Sequence, residues 1–271
     1  MSVVKSNATP NQTSFQTTQL NLDLAIKFDA SLSDFSSPNW ESVVDLVRQL
    51  HAGLVSQLYL YGGQDTGKTH LLTAICESFR DMGYSAIYLS LRDLLTLDPM
   101  VLASVENMDM VAIDDIDAIQ GYPDWQEAVF HLINRHYENQ HPIIFASRVS
   151  VNALDFSLSD LVSRLAQAPT FELPSGRDRE DRAMILQSIL ARRHWHFDER
   201  ITTYLLDEGP LQVGAMLAVL EHIQPMFSNL GRSQVSKTVI LEAFKQIDDK
   251  TLLYELKDLN LTEEDSGFLD F

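Results

Sequence analysis

The eight residues from Gly62 to Thr69 constrain the fold of this chain more than any other stretch. They read GGQDTGKT and match the phosphate-loop pattern GxxxxGK[ST] at every fixed position. An apolar strand is predicted before them, at 58–61, and a helix with an apolar face after them, over 71–79. A glycine-rich turn between a buried strand and a helix N-terminus surrounds an anion with backbone N–H groups. The pattern therefore predicts a phosphate site on an α/β sheet, and a glycine turn without a ligand is the alternative.

The alternation of strands and helices continues beyond this loop. Four further apolar strands are predicted at 85–89, 110–113, 142–146 and 170–173. Short apolar strands that alternate with helices are typical of a parallel sheet covered on both faces. After Pro174-Ser175-Gly176 four helical patterns follow without strands, at 177–194, 198–207, 211–226 and 236–247. We therefore predict an α/β fold with a parallel five-stranded sheet and a small C-terminal α-helical lid.

These patterns divide the chain into four predicted parts. Residues 1–27 are a flexible N-terminal segment, because they begin with a polar stretch that lacks periodicity. Residues 28–174 form the nucleotide-binding α/β domain, and residues 175–250 form the α-helical lid domain. Residues 251–271 are an acidic C-terminal tail.

The charge and the apolar content restrict the classes of partner. Twenty basic and 38 acidic residues give a net charge of 20 − 38 = −18, and a surface this negative repels a phosphate backbone. We therefore do not expect broad nucleic-acid binding. The first residues are too polar for a secretory signal, and no apolar run approaches the roughly 18 residues of a membrane span. With a single cysteine, Cys76, the composition fits a soluble protein of the cytoplasm.

The phosphate loop supplies the candidate nucleotide site. Its glycines let the backbone wrap around phosphates, Lys68 is placed to reach the β- and γ-phosphates, and the Thr69 hydroxyl is placed to bind Mg²⁺. The predicted nucleotide-binding residues are Gly62, Gly63, Thr66, Gly67, Lys68, Thr69 and His70.

Two adjacent acids, Asp114 and Asp115, follow the apolar strand predicted at 110–113. Carboxylates at this point lie at the carboxyl edge of a parallel sheet, where ligands bind. Asp114 is the predicted partner of Mg²⁺, through water, and Asp115 is the candidate group that orients or deprotonates an attacking water. The alternative is a pair of acids that caps the next segment.

Three further residues, in two segments, could contact phosphates. Ser147 and Arg148 end the fourth predicted strand, where a polar group could sense a γ-phosphate, although an ordinary polar strand end is equally consistent. Arg164 lies between apolar positions in Asp-Leu-Val-Ser-Arg-Leu at 160–165. An arginine there could point at a phosphate on a neighbouring subunit and offset the charge that develops during phosphoryl transfer. From the residues alone, a surface salt bridge is the favoured interpretation of Arg164.

A leucine pattern stands in the polar N-terminal segment. Gln-Leu-Asn-Leu-Asp-Leu at 19–24 alternates with period two, which predicts an extended segment with three leucines on one side. Such a segment could dock into an apolar groove of another protein or cover the core of its own domain, and the pattern alone favours the second. The candidate docking residues are Gln19, Leu20, Leu22 and Leu24.

Residues 62–71, Ile-Asp-Asp-Ile at 113–116 and the segment 160–165 together resemble the AAA+ core of the DnaA/Hda family, in order along the chain. DnaA continues into a basic helix-turn-helix domain that binds origin DNA. This chain carries an acidic segment at that place. Its leucine pattern is similar to the Q-L-x-L-x-L clamp-binding peptide of the Hda branch of the family. The resemblance implies a P-loop AAA+ fold that binds ADP or ATP with Mg²⁺.

For function, the resemblance implies a negative regulator of replication initiation. Members of this branch attach to the DNA polymerase III β sliding clamp, contact ATP-bound DnaA and promote hydrolysis of its ATP. Gln19, Leu20, Leu22 and Leu24 would then enter the clamp pocket, and Arg164 would act as an arginine finger on the ATP of DnaA. No direct sequence-specific DNA binding and no membrane are expected. A homo-oligomer and an intrinsic ATPase activity are left open.

Two other functions share parts of these patterns. A helicase-loader or clamp-loader-like ATPase would share the AAA+ core, and a P-loop small-molecule kinase would need the phosphate site alone. The family pattern also places an arginine of the lid near the nucleotide, where this chain has Gly214, and ends the fourth strand in Ser-Asp-Arg, where this chain has Ala146-Ser147-Arg148. The resemblance therefore does not extend to these two phosphate-sensing positions.

Overall fold

The structure, a computed structural model, describes residues 30–230 and Val239. The predicted leucine segment at 19–24, the acidic tail at 251–271 and, apart from Val239, the fourth predicted lid helix at 236–247 lie outside the described residues. In the part of the chain that is described, no helix has both the length and the apolar character that crossing a bilayer requires.

Five short strands form one parallel sheet. They are β1 (Gln57–Tyr61), β2 (Ala86–Ser90), β3 (Met110–Asp114), β4 (Ile143–Ser147) and β5 (Thr170–Glu172). Their order across the sheet is β2-β3-β4-β1-β5, so β1 is inserted between β4 and β5. The prediction of a parallel five-stranded sheet is confirmed.

Helices connect the strands and form the lid. Within the described residues the α-helices are α1 (Glu41–His51), α2 (Lys68–Asp81), α3 (Leu91–Leu94), α4 (Pro123–Asn139), α5 (Ser159–Leu165), α6 (Arg179–Arg192), α7 (Glu199–Asp207) and α8 (Val213–Leu230). Short 3₁₀ turns lie at Leu32–Phe35, Pro38–Trp40, Pro99–Val105, Ile116–Ile119 and Val151–Ala153. The lid helices α6, α7 and α8 agree with the predicted patterns to within a few residues.

Both faces of the sheet are buried along its central strands β1, β3 and β4. Along β1, Leu58 and Leu60 face the apolar cluster formed with α1 and α2, whereas Tyr59 faces the cluster formed with α4 and α5. Alternate side chains of a strand point to opposite faces, and all three of these are fully buried. A third cluster unites α6, α7 and α8. Burial on two sides explains why the strands read as continuous apolar runs.

The register brings the carboxyl ends of the strands to one edge. Tyr61, the last residue of β1, pairs with Ser147 of β4, and Ser90 of β2 pairs with Asp114 of β3. β1 and β4 are neighbours in the sheet, but the connection that follows β1 leads to β2 at one edge of the sheet and the connection that follows β4 leads to β5 at the other edge. The two connections therefore diverge, which leaves a crevice between β1 and β4. Ligands of parallel α/β sheets bind outside the carboxyl ends at such a point, and the phosphate loop follows β1 there.

A strap, residues 31–40, precedes α1 and contacts both α2 and the lid helix α6. Its Asp34 is fully buried. The carboxylate accepts hydrogen bonds from His70 Nε2 at 2.8 Å, Ser188 Oγ at 2.6 Å and Arg192 Nη2 at 3.0 Å. Burial by itself would raise the pKa of Asp34, but these hydrogen bonds outweigh it and hold the pKa well below its ordinary value. One carboxylate therefore joins the strap, the helix after the phosphate loop and the lid.

A second buried carboxylate, Asp181 of α6, fastens the strap from the lid side. Ser37 Oγ donates to Asp181 Oδ1, and Asn39 Nδ2 donates to the two carboxylate oxygens at 3.2 and 3.1 Å. Asp181 is 1% exposed, and a buried carboxylate is tolerated when it is hydrogen-bonded in this way. The lid is thus attached to the strap by hydrogen bonds to buried carboxylates.

Asp34→Asn is expected to lower the free energy of unfolding by about 2–4 kcal/mol at neutral pH, because it removes the buried charge with which His70 and Arg192 pair. The folded-state pKa of Asp34 is depressed, so its stabilisation is complete above the unfolded-state value of 3.8. It is lost as the pH falls toward the folded-state pKa. The difference between wild type and variant should therefore shrink in acid, as measured by urea unfolding across this pH range.

Asp45→Asn is the matched control for this measurement. Asp45 pairs with Arg48 at the exposed surface of α1, and such pairs contribute about 0–1 kcal/mol. An equal loss of stability in the two variants would contradict the role of Asp34 as the joint.

Candidate functional site

The phosphate loop turns from β1 into α2 at the carboxyl edge of the sheet. Gly67 ends the loop at φ = 93°, a left-handed conformation that favours glycine. A Cβ at Gly62 would lie 2.9 Å from Thr66 Oγ1, so the Thr66 side chain occupies the space beside it. The first N–H groups of α2, which begins at Lys68, have no partner inside the helix and point back toward the loop. This arrangement can hold an anion.

Lys68 is a buried cation inside the loop. Its side chain is 8% exposed, and Nζ donates hydrogen bonds to Gly62 O at 2.7 Å and Gly63 O at 2.6 Å. Burial lowers the pKa of Lys68, while the charges of Asp114 and Asp115 oppose this shift. Among the described residues its hydrogen-bond acceptors are neutral oxygens, and none of the carboxylates there forms a salt bridge with it. An anion in the loop would give this cation a direct ionic partner.

Asp114, at the end of β3, meets Thr69 at the start of α2. Thr69 Oγ1 donates to Asp114 Oδ2 at 2.6 Å, and Tyr88 OH donates to the same oxygen at 3.1 Å. The main-chain N–H of Asp115 donates to Asp114 Oδ1 at 2.9 Å, so the buried carboxylate is held in one orientation. Hydroxyl and carboxylate oxygens are the ligands that Mg²⁺ prefers. The structure places this pair of oxygens side by side, and the two residues could hold the metal.

Tyr88 is a residue of this site that the sequence patterns do not single out. It lies in β2, which pairs with β3. Burial, followed by the negative charge of Asp114, raises the pKa of Tyr88 far above its ordinary value, so the hydroxyl stays protonated and donates. The sequence gives only a weak indication of this contact between Tyr88 and Asp114, because it can be recognised only once β2 and β3 are known to be neighbouring strands.

Asp115 is a carboxyl group with a pKa near neutrality. Its oxygens lie 3.4 Å from Ser90 Oγ and 3.8 Å from Arg92 Nε. Burial, and then the charge of Asp114, raises the pKa of Asp115 to about 6. Such a carboxyl can take up a proton near neutral pH, as a group that deprotonates water must. Asp115 occupies the N-cap position of the turn at Ile116–Ile119, but its side chain makes no capping hydrogen bond there.

Ser147 ends β4 beside these acids and is fully buried. Its hydroxyl donates to Asp117 Oδ1 at 3.1 Å, and the main-chain N–H of Arg148 donates to the same oxygen at 3.0 Å. Asp117 therefore fixes the end of β4 to the turn after β3. The sequence does not reveal this role, because the whole of α4 separates the two segments. A contact of Ser147 or Arg148 with a γ-phosphate stays a prediction.

His70 directs its side chain away from the phosphate loop, and its place in the nucleotide-binding set stays a prediction. Its side chain is 4% exposed and turned toward the strap, where Nε2 bonds to Asp34 and the ring centroid lies 5.6 Å from that of Phe35. The imidazole therefore belongs to the joint between strap and lid. The group of His70 that could bind a phosphate is its main-chain N–H, which lies in the first turn of α2.

The lid meets the phosphate loop through backbone contacts. The N–H of Gly214, in the first turn of α8, donates to Asp65 O at 2.7 Å, and the N–H of Val213 donates to Gly176 O at 3.0 Å. A Cβ at Gly214 would lie 2.7 Å from Asp65 Cα, so any side chain would separate α8 from the loop. Glycine at this position therefore lets the lid helix pack directly on the loop.

Arg164 lies away from this site. It is in the last turn of α5, which leads to the amino end of β5, whereas the phosphate loop follows the carboxyl end of β1. β1 and β5 run parallel, and a strand of five residues spans roughly 16 Å, so the two groups lie at opposite edges of the sheet. The guanidinium carbon is 5.6 Å from the centroid of the Tyr137 ring. Arg164 forms no salt bridge with any residue that the structure describes. The surface salt bridge, which the residues alone favoured, is therefore not supported.

Comparisons with known proteins agree on the kind of domain. The family model of the bacterial DnaA ATPase domain matches residues 98–170, which include Asp114, Asp115 and Arg164. An uncharacterized protein of Haemophilus influenzae is 29% identical over 190 residues, a stretch that covers 69% of this chain and 82% of that protein.

Solved structures give the same result for the fold. AMPPCP-bound DnaA from Aquifex aeolicus is 25% identical with a TM-score of 0.56, over 72% of this chain and 65% of that chain. Domain III of the replication initiation protein DnaA from Thermotoga maritima is 20% identical with a TM-score of 0.63, over 78% of this chain and 93% of that chain. The chain thus spans about two thirds of the A. aeolicus protein, and its α/β fold is that of a DnaA-like AAA+ domain.

Gly214→Ala is expected to lower the free energy of unfolding by about 1–3 kcal/mol, because the added Cβ would overlap the backbone of Asp65 and force α8 off the loop. Urea unfolding of the nucleotide-free protein measures the loss. Gly63→Ala is the control, since a Cβ there meets nothing within 4 Å. Unchanged stability in Gly214→Ala, or the same loss in both variants, would contradict the direct packing of α8 on the loop.

Proposed function

We propose that this DnaA-like AAA+ protein regulates replication initiation by binding an adenine nucleotide, attaching to the DNA polymerase III β sliding clamp and stimulating hydrolysis of the ATP bound to DnaA. The observation that carries the proposal is the separation of Arg164 from the phosphate loop. The chain would bind its own nucleotide at one edge of its sheet, and Arg164 lies at the opposite edge.

Nucleotide binding is supported by the loop and by the likeness to an AMPPCP-bound DnaA. Lys68 would bind the terminal phosphates, and its neutral partners in the described residues leave room for an anionic one. Thr69 and Asp114 would hold Mg²⁺, since their oxygens lie 2.6 Å apart. Bound Mg²⁺ would neutralise charge on the phosphate oxygens. The residues present therefore fit ADP or ATP with Mg²⁺.

Asp115 is the residue on which an intrinsic ATPase activity would depend. Its carboxyl has a pKa raised to about 6, so it is largely ionised at neutral pH and still basic enough to accept a proton from water. Asp114 is held by Thr69 and Tyr88 and is better placed to orient than to accept a proton. The two adjacent acids would thus have different roles.

Arg164 would act on the nucleotide of DnaA. A guanidinium keeps its charge and presents five N–H donors, which suits the oxygens of a transferring phosphoryl group. In enzymes that use an arginine in this way, it raises the rate by about 10³–10⁵. Because the phosphate loop of the same chain lies at the other edge of the sheet, the phosphates that Arg164 meets would belong to another subunit.

The leucine segment would supply the attachment to the clamp. Its residues lie outside the described part of the chain, so the support for this role is the similarity of residues 19–24 to the Q-L-x-L-x-L clamp-binding peptide, together with the net charge of −18. A chain this acidic binds DNA poorly, and a clamp on DNA would bring it close to DnaA. Tethering raises the effective concentration at a target without new contacts to DNA.

The first test measures turnover of DnaA-bound ATP with β clamp loaded on DNA. The wild-type protein should accelerate turnover, and Arg164→Ala should reduce the rate by about 10³-fold or to that of DnaA alone. Arg164→Lys should keep a small part of the stimulation, because lysine carries the charge without the planar fork. Arg48→Ala, at an exposed arginine of α1, is the control and should stimulate fully. Full stimulation by Arg164→Ala would show that the finger assignment is wrong.

The second test measures binding to the purified clamp by surface plasmon resonance. The double variant Leu22→Ala, Leu24→Ala should weaken binding by about tenfold or more, because it removes apolar area from the docking side. The double variant Asn21→Ala, Asp23→Ala changes the alternate positions of the same segment and should bind normally. Equal binding by the two variants would exclude docking through the leucines. Binding of the replicative helicase in preference to the clamp would favour a helicase loader.

A further inference from the structure

Tyr137 of α4 is exposed, and Arg164 of α5, which is partly buried, lies against its ring. The guanidinium carbon lies 5.6 Å from the ring centroid, within the range at which the negative face of an aromatic ring attracts a cation. Tyr137 is 60% exposed, so burial of its ring contributes little to folding.

We propose that Tyr137 is a positioning residue, which holds the Arg164 guanidinium ready for the triphosphate of a nucleotide bound by another AAA+ subunit. This inference rests on the proposed function, and it adds a residue that neither the phosphate-loop pattern nor the acidic pair indicates. The chemical class of the group recognised is the polyphosphate of a nucleoside triphosphate.

The kind of contact supports this role. A carboxylate beside Arg164 would neutralise its charge and occupy its N–H donors. An aromatic face attracts the cation but takes no N–H donor along the guanidinium edge. Tyr137 therefore restricts the side chain while the charge and the hydrogen-bonding edge stay available. Restricting the rotamers before the encounter lowers the entropy cost of aligning the guanidinium with the phosphates.

The neighbouring acids do not compete for Arg164. Asp160 stands four residues before it on α5, a spacing that commonly gives a helical salt bridge, yet the structure shows no such bridge in this part of the chain. Glu138, next to Tyr137, pairs with Arg135 at 3.3 Å, and Arg135 also lies 3.7 Å from Glu106. Among the described residues, the Arg164 guanidinium therefore interacts with the Tyr137 ring and not with a neighbouring carboxylate.

The helix that carries the Tyr137 ring, α4, is packed firmly against the core. α4 is anchored to the core by Val129, Ile133 and His136, all fully buried, and Tyr137 is the next residue after His136. On α5, Leu165 is buried directly after Arg164. The backbone of both partners of the pair is therefore fixed by the core, and the contact with the ring is what restricts the guanidinium.

The test is a graded series at Tyr137 in the turnover assay with clamp-loaded DNA and ATP-bound DnaA. Tyr137→Phe and Tyr137→Trp keep an aromatic face and should keep the maximal stimulated rate. Tyr137→Leu keeps apolar bulk without the ring and should lower the maximal rate about two- to fivefold. The protein concentration that gives half-maximal stimulation should stay unchanged, because the contact acts on alignment and not on docking. Tyr122→Leu, at an exposed tyrosine before α4, is the matched control and should stimulate fully.

Wild-type stimulation by Tyr137→Leu, or a loss in Tyr137→Phe equal to that in Tyr137→Leu, would overturn the inference. A rise in the half-maximal concentration without a change in the maximal rate would also overturn it. Thermal melting of each variant checks that folding is retained. Stimulation that survives Arg164→Ala would instead overturn the proposed function, so the two failures are distinguishable.

Discussion

The buried ammonium group of Lys68 is the interaction on which the rest of this structure depends. Burial of a cation is costly unless polar groups surround it, and here two loop carbonyls of Gly62 and Gly63 accept its hydrogen bonds. Those carbonyls are in place because β1 ends at Tyr61 and Gly67 turns the chain into α2. The strand, the loop and the helix N-terminus therefore form one unit, in which an anion would be the ionic partner of Lys68.

The acids at the end of β3 complete this unit. Thr69 and Tyr88 orient Asp114 from two different elements, and the proximity of Asp114 raises the pKa of its neighbour Asp115. Two adjacent residues of the same type thus acquire different properties from their surroundings. Asp117 extends the network to the end of β4 through Ser147.

The lid is attached at two places with different chemistry. On one side, Asp34 and Asp181 join the strap to α6 through buried carboxylates. On the other side, the N–H of Gly214 bonds to the backbone of Asp65 in the phosphate loop. A change in the loop backbone therefore acts on α8 directly, without an intervening side chain. Arg164 is outside this arrangement, at the edge of the sheet where α4 and α5 end.

The sequence by itself determined the phosphate loop, the five strands and the lid helices, because local signals encode each of them. Glycines, a lysine and a hydroxyl at fixed spacing identify the loop, and continuous apolar runs identify strands buried on both faces. The sequence also identified Asp114 and Asp115, since they follow such a run directly.

The tertiary structure alone decided which distant residues meet. It turned His70 toward Asp34, brought Tyr88 to Asp114 and Asp117 to Ser147, and set Arg164 on Tyr137. No local pattern contains these pairs, because they depend on strand order and on how helices pack across the sheet. The physical reason is that spacing along the chain fixes the period of an element, whereas packing of the complete apolar core fixes its neighbours.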